Sequence, residues 1–166
     1  MTDRKARPLV ILIAMLVLSA CLMQAALRPA QADEAEDSAL TLVRERHLGD
    51  SLGWLGYQVA SRTVTFANLV EQLGKTQAQE LVQNELQRLQ PEFQAQWDRN
   101  LAAAYAHAFT AQELRSLSDG DDSPDLANKF RARNNDVGAD MKARSADLLG
   151  DFVSQALNNA AQSLQH

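Results

Sequence analysis

Leu126, Val137 and Leu148 recur every eleven residues, and Phe130, Met141 and Phe152 repeat that spacing four residues later. Eleven residues make three turns at about 3.67 residues per turn, so both rows stay on one face of a nearly straight helix. A face this long has to be covered by neighbouring segments of the same chain. The spacing therefore predicts an all-α fold, a small helical bundle of about five to six helices that ends in a long C-terminal helix over Ser123 to about Leu164. Few glycines and prolines beside abundant Ala, Gln and Leu point the same way.

The N-terminus reads as an export signal. Arg4, Lys5 and Arg7 precede an apolar run from Leu9 to Leu18, the layout of a bacterial secretory signal. Ala30-Gln31-Ala32 before Asp33-Glu34 is an A-x-A cleavage site with Pro29 just upstream, which gives a signal peptide over 1–32 and one periplasmic domain over 33–166. Two other endings compete with it. Leu18-Ser19-Ala20-Cys21 has the form of a lipobox, which would lipidate Cys21 and make the chain a membrane-anchored lipoprotein. Leu9 to Leu27 is also 19 residues, just long enough to span a bilayer uncut. Because the apolar run continues past Cys21 through Leu22, Met23 and Leu27, cleavage after Ala32 is the favoured reading. All three endings place the folded part outside the cytoplasm.

Charge and cysteine usage narrow the chemistry. Residues 1–32 carry four basic and one acidic side chain, so their removal takes the net charge from −5 to −8. That disfavours nucleic acid or an anionic membrane surface as a partner and leaves membrane contact to a tether through Cys21 or an uncleaved N-terminal segment. Cys21 is the only cysteine, which excludes a disulfide scaffold, a thiol nucleophile and a thiolate metal site from the mature chain. No glycine-rich phosphate loop is present, and no cofactor is expected.

Along the mature chain, residues 33–37 read as a solvated acidic lead-in to a helix over about Ser38 to His47, with Leu40, Val43 and His47 on one face. A second helix is predicted from Ser51 to Leu73, capped by Asp50 and ended by Gly74, with Leu52, Leu55, Val59, Phe66, Val70 and Leu73 as its stripe. Arg62 interrupts that stripe, and Gly53 and Gly56 weaken its start. Thr76 with Gln79 reads as a capping box, and Pro91 leaves either one kinked helix or two helices with a sharp joint over Thr76 to Phe109, the break being favoured. Thr110 with Glu113 is a second capping box, opening a short helix to about Leu117, and Ser123-Pro124 starts the long one.

Tyr105, Phe109-Thr110-x-x-Glu113-Leu114, Ser123-Pro124 and Lys129 together resemble the signature of the family catalogued as domain of unknown function 2059. The likeness covers roughly Trp97 to Leu149. It implies an exported, all-helical envelope protein and supplies no activity.

Few residues point to chemistry. Asp119, Asp121 and Ser123 alternate like calcium ligands, but the glycine and glutamate that an EF-hand needs are replaced by Pro124 and Phe130. The acidic loop of Asp119, Asp121 and Asp122 also suits a helix N-terminus without an ion, and no metal is expected. His107 could act as a base with Glu113, yet no nucleophile context accompanies them. A lone His47 offers a metal one nitrogen, and Glu80 and Glu85 read as a solvated face. Trp54 and Tyr57 lie off the predicted stripe, so an exposed aromatic pair would mark a binding patch. The expected function is a non-enzymatic envelope protein that binds another envelope protein through Trp54 and Tyr57 or through the acidic loop. The alternative is a carrier of a small apolar ligand, with Met141 and Phe152 lining its pocket.

Overall fold

The computed structural model describes residues 31–121 and 123–164; the stretch expected to be an export signal, up to residue 30 and with Cys21, and Asp122 in the acidic loop lie outside them. The chain is all-α. The described helices are α1 (31–45), α2 (Leu52–Ala60), α3 (Val64–Leu73), α4 (Lys75–Ala108), α5 (Ala111–Asp119) and α6 (Pro124–Ser163). None of them is long and apolar enough to cross a membrane.

The C-terminal helix is a single rod of 40 residues, about 60 Å at about 1.5 Å per residue. Its apolar rows face inward. Leu126, Val137, Met141 and Phe152 are buried, while Phe130 and Leu148 are half-buried against the core. The same face continues past the repeat through Val153, Ala156, Leu157 and Ala160.

The partner of α6 is α4, which packs along it more extensively than any other described pair of helices. The two run antiparallel. Phe93 meets Phe152 with ring centroids 5.1 Å apart, Asn100 Nδ2 donates to the Ser145 hydroxyl at 3.0 Å, and His107 Nδ1 lies 3.0 Å from Asp140 Oδ2. Helices α2 and α3 pack against both long helices, and α5 closes the far end.

Pro91 does not break α4, which is continuous over 34 residues. The expected break weighed only the lost donor. The carbonyl that loses its partner belongs to Gln87, and Gln87 and Pro91 are both exposed, so water can replace the missing N–H. Buried Leu86, Leu89 and Trp97 hold the helix in place on either side. The Thr76–Gln79 capping box does not form either. Gly74, at φ +80°, caps α4 two residues earlier and also ends α3, a conformation that glycine reaches without strain.

The predicted Ser51–Leu73 helix is two helices. The Thr63 hydroxyl donates to the Ala60 carbonyl at 2.7 Å and accepts from the Phe66 amide at 3.2 Å, so it ends α2 and caps α3. Arg62, the misfit in the stripe, lies exposed in the turn. Ser51 takes the N-cap position in place of Asp50, without a side-chain hydrogen bond. At the other end of the domain, the residues read as a solvated lead-in, 33–37, are already helical, and the inward face of α1 is Ala35, Ala39, Leu42 and Val43. His47 follows its last turn at φ +54°, while Leu48 N donates to Val43 O at 2.9 Å, a Schellman closure.

Two glycines with opposite surroundings give a test. A Cβ on Gly56 would stand 2.7 Å from a Phe152 ring carbon, whereas one on Gly138 would meet nothing within 4 Å. We expect Gly138→Ala to stabilise the fold by about 1 kcal/mol and Gly56→Ala to destabilise it by about 1–3 kcal/mol, both read from urea unfolding.

Candidate functional site

Trp54 and Tyr57 share a side of α2 but not an environment. Trp54 is 64% exposed, while Tyr57 is half-buried with its ring edge-on to Phe66 at 6.0 Å and 83°. The exposed aromatic pair is therefore one residue, Trp54, with Tyr57 serving the contact between α2 and α3.

The acidic loop does not converge. Gly120, at φ +84°, ends α5 with Asp121 N donating to Ser116 O at 2.9 Å, and the Asp121 carboxylate then accepts from Ser123 N at 2.9 Å. Asp119 opens onto a cleft of about 300 Å³ beside Asp37 and Arg115, whereas Asp121 opens onto another of about 310 Å³ beside Glu113 and Lys129. No group of three metal-ligating side chains forms among the described residues. The cation that does meet this end of α5 is Arg46, whose Nη2 donates to the Leu117 and Ser118 carbonyls at 3.1 and 3.0 Å.

His107 and Glu113 belong to different clusters. Glu113 completes the predicted capping box, taking the Thr110 amide at 2.9 Å on Oε2, and both its oxygens accept from Lys129 Nζ at 2.6 and 2.7 Å. Lys129 also lies 5.4 Å from the Phe109 ring centre, and Phe109 packs with Tyr105 and Phe130. Partial burial pushes the Glu113 carboxyl up, but the hydrogen bonds from Lys129 and Thr110, together with the Lys129 charge, outweigh it and hold the group below the usual carboxylate range. Burial alone pushes the Tyr105 phenol up.

His107 instead bridges the two long helices. A ring protonated on Nδ1 donates to Asp140 at 3.0 Å and can accept from Arg144 Nη2 at Nε2, 3.3 Å away, while Arg144 Nε donates to Asp140 at 2.9 Å. No described hydroxyl hydrogen-bonds to this histidine, so the cluster has the chemistry of an ionic clasp and lacks an activated nucleophile. Sequence reasoning missed it because His107 and Asp140 are 33 residues apart. The register of α4 on α6, which would have revealed the pairing, is not written in either helix alone.

The residues assigned to a ligand pocket are spent on packing. Phe152 is fully buried against Phe93, and Met141 Sδ takes the Ser145 hydroxyl at 3.4 Å. Neither lines the clefts beside Asp119, Asp121 or His107. Glu85 pairs with Arg88 at 2.7 Å on the solvent side, and Glu80 is exposed.

The depressed Glu113 carboxyl makes its contribution pH-dependent. A carboxyl held below its unfolded value stabilises the fold above about pH 4 and loses that contribution as pH falls through the folded value. Glu113→Gln should unfold at lower denaturant than the wild type at pH 7, and the gap should narrow steadily below pH 4. Thr110→Ala should lower stability by about 0.5–2 kcal/mol at either pH. Comparisons with protein-family models, with curated proteins and with solved structures return no match for this chain.

Proposed function

We propose that the protein is an exported, non-enzymatic binding module of the cell envelope, related to the family catalogued as domain of unknown function 2059, and that it works by presenting the α2 surface around Trp54 to another envelope component. The observation that carries this reading is the exposure of Trp54, 64%, in a fold that otherwise hides its large rings. Indole gives a large rigid contact area at low entropic cost, and exposed tryptophans are enriched among the residues that dominate binding interfaces. The basic n-region, apolar run and A-x-A site support delivery to the periplasm, with a lipid on Cys21 as the anchored variant. A carrier role is less well supported, because Met141 and Phe152 are buried in contact with other side chains.

Affinity capture from envelope extracts tests the reading. Wild-type chain should retain an envelope component that Trp54→Ala retains at least about tenfold less well. Equal recovery by both would remove the Trp54 surface from consideration, and recovery of the chain from the cytosolic fraction would end the export reading.

A further inference from the structure

We propose that the corner joining α2 to α3 seats in the lipid–water interface of a phospholipid membrane, with Trp54 and Val64 entering the boundary and Arg62 meeting headgroup phosphate. The inference rests on the reading above and names its envelope component as lipid.

Three observations carry it. The first is charge. From Ser51 to Val70 the only charged side chain is Arg62, in a chain where 22% of residues are charged and about four would be ordinary over that length. The net charge of the mature chain opposes an anionic surface, but its carboxylates flank this stretch at Asp50 and Glu71 and none lies inside it. A docked membrane would therefore meet the one cation of the corner while the acidic body faces water.

The second is exposure along the two short helices that meet there, with Trp54 in the first turn of α2 and Val59 and Val64 on either side of the turn. Val64 is 77% exposed, Trp54 64% and Val59 39%, the three most exposed large apolar side chains among the described residues. An indole favours the headgroup boundary, where its ring is shielded and its N–H stays wet.

The third is that the turn carries few free polar groups into lipid. Ser61, Arg62 and Thr63 amides donate to the Tyr57, Val59 and Ala60 carbonyls at 2.9, 3.1 and 3.0 Å. The Ser61 and Thr63 hydroxyls donate to the Gln58 and Ala60 carbonyls at 3.2 and 2.7 Å, and the Phe66 amide is taken by Thr63. The Val64 and Thr65 amides that open α3 have no acceptor within the chain, so they are left to headgroup oxygens and water, which suits the headgroup boundary and not the hydrocarbon beyond it. The T-shaped contact of Tyr57 with Phe66 braces the two helices that carry the corner.

Quenching of tryptophan emission by vesicles of phosphatidylethanolamine and phosphatidylglycerol with brominated acyl chains tests the proposal locally, whatever else tethers the full chain. Trp54→Phe leaves only buried Trp97 and supplies the blank. We expect Trp54 emission to shift to the blue and to be quenched. Val64→Asp, at an exposed position that should not disturb folding, should raise the lipid concentration for half-quenching about tenfold or more. Arg62→Glu should weaken quenching on these vesicles and, through loss of the phosphate contact, on phosphatidylcholine alone to a smaller degree. Emission that stays water-like and unquenched, or quenching indifferent to Val64→Asp, would overturn the proposal. If Trp54 then still governs capture of an envelope protein, the lipid assignment fails alone; if capture is indifferent to Trp54 as well, the underlying reading fails with it.

Discussion

The antiparallel contact between α4 and α6 governs the rest of the structure. Apolar burial along it, with Phe93 against Phe152 at one end, supplies the attraction, but apolar surfaces slide over each other with little preference. Alignment comes from polar contacts of little energetic weight. Asn100 bonds the Arg144 carbonyl and the Ser145 hydroxyl midway, and His107 meets Asp140 near the end of α4. Single polar contacts of this kind add little net stability, so their main effect is to distinguish one axial position from its neighbours. Near the end of α4 the packed rings of Tyr105, Phe109 and Phe130, with Lys129 against Glu113 of α5, hold the N-terminal part of α6.

The boundaries set by local chemistry were legible in the sequence, and those set by packing were not. The eleven-residue rhythm from Leu126 to Phe152 forecast the long helix because its period belongs to one element only. Gly74 and the Thr110–Glu113 box marked their termini for reasons contained within a few residues. Pro91 misled because its penalty is local, whereas the burial that keeps α4 whole comes from other segments. At Arg62 the sequence holds a usable signal: a cation that interrupts an apolar stripe marks the turn between two helices. The site residues divide the same way. Trp54 could be set outside the stripe by helical spacing, while the partner of Tyr57 lies on a helix whose separate existence had not been foreseen.

Of the acidic side chains that resemble a metal loop, Asp121 serves to join one helix to the next. Asp121 takes the Ser123 amide, Gly120 supplies the left-handed residue, and Arg46 reaches from the end of α1 to the last carbonyls of α5. These bonds answer the unsatisfied groups at helix ends, which explains the residue types without invoking an ion. The surface left over is uneven in character. Carboxylates and their partners crowd the α5 end, and the α2–α3 corner is nearly free of charge.

Gly56 leaves space in α2 for the Phe152 ring, which lies where a methyl group would otherwise be. Leu149 or Ala156, the residues one turn to either side of Phe152 on α6, would fill that notch badly, the first by a branched chain and the second by leaving it hollow. A displaced rod would thus forfeit shape complementarity at this point even if the remaining greasy contacts re-formed. The uniqueness of the folded state owes something to a hydrogen standing where nineteen other amino acids would place a carbon.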